Sequence, residues 1–167
     1  MKLTPHFTLE EFIESDTALR LGIDNRPPAP VVDNLKVTAV GMEQIREVLG
    51  FPVFISSGFR CEELEKVLCW RDYLGWCRRH GKDSEFAWPE YFARKGHPKG
   101  WCADWTCRGY GTPRRCILAV RQAGVLVDQL IEEGTWAHAS FDPRLRGEVL
   151  TARFNENGEP TYTQGVV

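Results

Sequence analysis

Histidine is scarce in this chain, with four in 167 residues, so any imidazole-based site must draw on His6, His80, His97 and His138. No apolar run approaches the ~20 residues needed to span a bilayer, which excludes a helical membrane anchor. The opening Met1-Lys2-Leu3-Thr4-Pro5-His6 lacks the apolar stretch of a secretory signal, so a cytoplasmic address in the producing bacterium is expected. A formal charge of -2 supplies no global attraction to phosphate backbones or anionic lipid, and neither nucleic acid nor membrane is the expected partner. None of the six cysteines sits in a Cys-x-x-Cys pair; in a reducing compartment they read as small buried hydrophobes, the alternative being a disulfide or second metal at Cys102 and Cys107. Repeats and low-complexity segments are absent as well. The length and a 43% hydrophobic, 26% charged composition fit one globular domain over 1–167, expected to act as a monomer.

The pattern along the chain is mixed. Thr8 and Glu11 form a capping box with Phe7 and Phe12 stapled across it, predicting a short helix. After Pro27, Pro28 and Pro30, the residues Val31, Val32, Leu35, Met42, Ile45 and Val48 recur at helical spacing until Gly50. Residues 52–56 read as a buried strand leading into Ser57-Gly58-Phe59-Arg60. Residues 61–95 read as irregular helix, with Gly75, Gly81 and Pro89 as interruptions and with aromatic and basic residues interleaved. Thr112-Pro113 starts a helix that Gly124 closes. Strands are predicted over 125–131, 136–141, 149–154 and 160–163, the last two joined by an Asn157-Gly158 turn. The fold class is therefore α+β, a small antiparallel sheet packed by helices.

Two places suggest metal chemistry. Catalytic zinc takes three protein ligands, commonly imidazole nitrogen and carboxylate oxygen, and leaves a position to water. Pro98 and Gly100 predict a turn that folds His97 towards Asp104, whose neighbours Trp101, Cys102, Ala103 and Trp105 make an uncompensated carboxylate costly. In Trp136-Ala137-His138-Ala139-Ser140, strand alternation puts Trp136, His138 and Ser140 on one face.

These motifs, in this order, resemble the zinc D-alanyl-D-alanine carboxypeptidases and related phage endolysin peptidases, which share a metal-site fold with the Hedgehog signalling domain. The family's Ser-Gly-(Tyr/Phe)-Arg stands as Ser57-Gly58-Phe59-Arg60. Its His-x-x-Gly-x-Ala-x-Asp stands as His97, Gly100, Ala103 and Asp104, and its Trp-x-His as Trp136-Ala137-His138. The stretch from Phe7 to Asn25, with Gly22-Ile23-Asp24-Asn25, is similar to the opening of a phage and bacterial branch. Two features depart from the pattern: Lys95 stands where the family carries serine, and roughly residues 66–95 are inserted where its loop is short.

The resemblance implies one Zn2+ held by His97, Asp104 and His138, and hydrolysis of a peptide bond in bacterial peptidoglycan stem peptides. The bond is of the D-Ala-D-Ala carboxypeptidase or the L-alanyl-D-glutamate endopeptidase type, in a phage lysis or virion-associated setting. A carboxylate must accept the water proton; Glu132 and Glu133 are candidates, adjacent strand residues point oppositely, and the family pattern aligns with Glu133. Arg60 is expected to stabilise the oxyanion or hold a substrate carboxylate. Ser57, Trp136, Asp128 and Ser140 are expected to support substrate or ligands. The rival readings are a non-catalytic zinc-stabilised structural or wall-binding module of a phage particle, and a single-stranded nucleic-acid surface on the insertion.

Overall fold

The computed structural model describes residues 1–156 and 158–166. Helices α1 (Leu9–Ile13) and α2 (Asp16–Leu21) precede the long α3 (Ala29–Leu49). The rest runs β1 (Phe54–Ser57), α4 (Glu62–His80), α5 (Trp88–Phe92), a 3-10 turn (His97–Lys99), β2 (Cys102–Thr106), α6 (Pro113–Gln122), β3 (Gln129–Glu132), β4 (Ala137–Ser140), β5 (Glu148–Phe154) and β6 (Pro160–Gln164). The class is α+β, as the mixed periodicities require.

The local signals act as expected at the N-terminus. The Glu11 carboxylate accepts from the Thr8 amide at 2.7 Å, and Phe7 and Phe12 meet edge to face at 6.1 Å, which fixes the entry into α1. In α3 the buried Leu35, Ala39, Met42, Ile45 and Leu49 recur every three or four residues, an apolar stripe that faces the sheet.

The strands form one sheet in the order β1-β2-β4-β3-β5-β6. Four of its pairings are antiparallel, while β3 and β5 run parallel, so the sheet is mixed rather than wholly antiparallel. The cause is the connection: β4 returns beside β3 as a hairpin and occupies that edge, and the chain then re-enters on β3's other side. The β3 strand also starts later than periodicity suggested. Asp128 is bonded by Arg146, which holds the chain just ahead of Gln129.

Alternation divides the sheet. Ala103, Trp105, Leu130, Ala137 and Ala139 pack with residues of α3 and of α6 in one core. Asp104, His138 and their row neighbours point to the opposite face. Over the insertion, Tyr73, Trp76, Trp88 and Tyr91 form a second buried cluster, so these rings are not free to stack on bases. Gly75 does not interrupt α4, contrary to its usual effect. A Cβ there would lie 2.3 Å from Glu159 Oε1, so the glycine admits a close approach of the β5–β6 hairpin. Asn157 of the predicted turn lies outside the described residues; Gly158 has φ 76°, as a left-handed turn position demands.

Candidate metal centre

The ladder between β2 and β4 pairs Asp104 directly with His138, and paired residues share a face. His138 Nδ1 accordingly lies 2.8 Å from Asp104 Oδ1. The 3-10 turn folds His97 back over the same carboxylate, with His97 Nε2 3.4 Å from Asp104 Oδ1. All three residues are buried, and one ligand atom from each lies within 4.8 Å of the others. Zinc bonds to nitrogen and oxygen at about 2.0–2.2 Å, so one ion fits among these donors. The donor set is the one such an ion takes in catalytic sites, two imidazoles and a carboxylate.

The surroundings prepare the ligands. The other nitrogen of His97, Nδ1, is 2.6 Å from the Gly58 carbonyl. Donating there assigns the proton to Nδ1 and leaves Nε2 with a free lone pair. Burial, helped by the Arg60 guanidinium, holds His97 below the ordinary imidazole value, which keeps it neutral as a ligand must be. Gly58 itself can be nothing larger, because a Cβ would sit 2.5 Å from the Phe12 carbonyl oxygen. Burial disfavours the charge on Asp104, yet His97, Arg60 and the hydrogen bond from His138 outweigh it and hold the carboxyl well below its usual range. Burial likewise opposes charge on His138, but Cys102 and Asp104 hold it well above its usual value. A cation bound by both residues would have to displace the proton of the His138–Asp104 hydrogen bond.

Arg60 does not stand open towards a substrate. Its Nε donates to Ser57 Oγ at 2.8 Å and its Nη2 to Asp104 Oδ2 at 2.5 Å, while Nη1 is 3.5 Å from the buried Glu65 Oε2. The side chain holds the second oxygen of Asp104. Ser57 reaches the site through Arg60.

Glu132 and Glu133 separate as strand alternation demands. Glu132 accepts from Arg153 Nη1 at 2.5 Å, away from the ligands. Glu133 accepts from Trp136 Nε1 at 2.6 Å and feels the charges of His138, Asp104 and Arg60, with burial pushing its carboxyl above the ordinary range. A carboxyl raised by burial beside the ligands is a candidate for general acid–base proton transfer.

Asp128 and Ser140 are not brought to the ligands. Asp128 is bound by Arg146 Nε at 2.8 Å and Nη2 at 2.7 Å, and Ser140 Oγ bonds Asp128 at 3.5 Å and the Asp142 amide at 3.4 Å. Ser140 shares the face of His138, but it pairs with Cys102, one full strand repeat from Asp104. Both residues therefore brace the far end of β4. Cys102 and Cys107 lie five apart on or next to β2, so alternation points them oppositely, and all six cysteines are free.

Two supporting residues escaped sequence reasoning. Asn25 donates to the carbonyls of Ile13 at 2.8 Å and Phe59 at 3.0 Å and accepts from the Cys61 amide at 2.8 Å. It thereby clamps the loop that carries Gly58 and Arg60. Glu65 is buried beside Arg60, and as one of three glutamates in the first turn of α4 it carries no sequence signal that sets it apart.

No curated protein matches the chain. The stretch that does match a family is the one carrying the α1 staple, the Asn25 clamp and the Arg60 loop: residues 5–68 match the model of the Peptidase M15 family.

Proposed function

We propose that this chain is a zinc peptidase that hydrolyses a peptide bond in bacterial peptidoglycan, of the D-Ala-D-Ala carboxypeptidase or L-alanyl-D-glutamate endopeptidase type, serving phage lysis or a virion. The observation that carries the reading is the buried His97–Asp104–His138 cluster with Glu133 beside it. The family match points to a metallopeptidase, although it ends before the first of these ligands.

His97, Asp104 and His138 would hold a zinc ion, which would supply Lewis acidity and make a water easier to deprotonate near neutrality. Glu133 takes the water proton as its oxygen adds to the scissile carbonyl carbon, then returns a proton to the departing amine as the C–N bond breaks. Arg60 keeps Asp104 aimed, and the Gly58 carbonyl keeps His97 in one tautomer. All of these groups come from one chain, so a monomer suffices. No helix is long and apolar enough to cross a membrane among the described residues, and the natural partner is the wall peptide.

The test is digestion of purified peptidoglycan by zinc-loaded protein, with mass spectrometry of the products. Released D-alanine, or new L-alanine carboxyl and D-glutamate amino ends, identifies the bond, and chelation should stop the release. Walls left intact by zinc-loaded protein would overturn the peptidase reading in favour of a non-catalytic zinc-stabilised module.

A further inference from the structure

The ladder extends the metal-site face towards the far edge of the sheet. The Glu133 amide donates to the Trp136 carbonyl at 3.1 Å, Glu132 pairs with Thr151 so that Glu133 falls beside Ala152, and Ala152 pairs with Tyr162. Paired residues point the same way, so Trp136, Glu133, Ala152 and Tyr162 form one row on the face of Asp104 and His138. Between Tyr162 and Glu133 stands only the methyl group of Ala152. The two strands are about 10 Å apart, and the Tyr162 phenol feels the charges of Glu133 and Asp104 across that gap.

Helix α4 reaches the same hairpin. Arg78 pairs with Glu159, and Gly75 removes the Cβ that would block that approach. Tyr162 lies on β6, the edge strand of the hairpin that the insertion approaches. Burial of its hydroxyl, then the charges of Glu133, Asp72, Cys69 and Asp104, keep the phenol protonated far above neutrality. Half of the residue nonetheless remains open to solvent, at 51% exposure, so a ligand can reach it.

Peptide hydrolysis requires a donor where the carbonyl oxygen gains charge. Arg60 already donates to Ser57 and Asp104 and is only 14% exposed, and Trp136 Nε1 donates to Glu133. The Tyr162 hydroxyl has no hydrogen-bond partner among the described residues. We propose that Tyr162 is a catalytic residue whose hydroxyl donates a hydrogen bond to the carbonyl oxygen of the scissile peptide as that oxygen becomes negative. This assignment rests on the peptidase reading. The water oxygen bonds to the carbonyl carbon, its proton passes to Glu133, and the carbonyl π pair moves onto the oxygen that Tyr162 contacts. Collapse restores the carbonyl, breaks the C–N bond and delivers the proton from Glu133 to the amine, leaving Tyr162 unchanged.

Tyr162→Phe removes one hydroxyl from a half-exposed site. The assay follows new amino groups released from purified peptidoglycan by zinc-loaded protein, alongside zinc stoichiometry and a chelator-competition titration. The expected result is a fall in kcat of about a hundredfold, with KM within about threefold of wild type and zinc affinity unchanged. Undiminished kcat in the variant, or a loss explained by lost zinc, would overturn the assignment alone. A wild-type protein that binds zinc and releases nothing would bring down the peptidase reading itself.

Discussion

Glu133 and Trp136 are tied twice across the turn that joins β3 to β4, by a backbone bond of 3.1 Å and by the indole donating to the carboxylate at 2.6 Å. The motif that supplies a metal ligand at His138 thus also holds the proposed base, three residues before Trp136, at the edge of the same face.

The two adjacent glutamates should behave oppositely. Glu133→Gln is expected to retain zinc and lower kcat by about a hundredfold or more, since general-base contributions are typically of that size. Glu132→Gln should leave kcat within a few fold and lower stability instead, through the lost Arg153 contact. Paired kinetics and urea melts measure both; equal losses of kcat would refute the division of roles.

Trp136→Phe removes the donor that lowers the Glu133 carboxyl, while burial continues to raise it. The carboxyl must therefore rise, and the base must be ionised to act. The acidic limb of the kcat/KM profile should move to higher pH, with little change on the alkaline side. An unmoved acidic limb would dissociate Glu133 from the proton transfer.

Arg60→Ala frees the second oxygen of Asp104 and strands the buried Glu65 without its cation. Turnover and zinc affinity should each fall by about 10–100-fold, as for other groups that orient ligands. Zinc binding should survive, since all three ligands remain. Competition against a chelator reads the affinity, and an affinity equal to wild type would argue that Arg60 does not orient Asp104.

Asp128 is fully buried, and the Arg146 hydrogen bonds hold its carboxyl below the ordinary range. Its folded value lies under its unfolded one, so its contribution is complete above about pH 3.9 and fades as acid protonates the folded state. Asp128→Asn should cost about 1.5–3 kcal/mol at pH 7, and the gap to wild type should narrow in acid below that value. Denaturant titrations at neutral and acidic pH supply the comparison; a gap independent of pH would assign the loss to shape rather than charge. Because Asp128 contacts no metal ligand, zinc affinity should be unaffected.

Much of this protein was legible in order along the chain. The Phe7–Phe12 staple, the stripe of α3 and the alternating strands depend on spacing within one element, and spacing is written locally. His97, Asp104 and His138 stood out because histidine is scarce and because a carboxylate among tryptophans needs a reason to be there. Alternation also separates Glu132 from Glu133, since neighbours on a strand cannot share a face.

What tertiary structure decided is which elements meet. Periodicity says that Ser140 shares a face with His138, but only the β2–β4 register places it a full repeat from Asp104, out of reach of the ligands. The parallel pairing of β3 with β5 depends on which sheet edge β4 has already taken. Gly75 marks a helix break by propensity and a site of close contact in space. Arg60 carries the same charge in either description; whether it faces substrate or Asp104 depends on Glu65 and Ser57 being packed around it. Tyr162, lying 24 residues beyond the last ligand, joins the site only because hydrogen bonds run across strands, perpendicular to the chain, and so assemble rows that no reading along the chain contains.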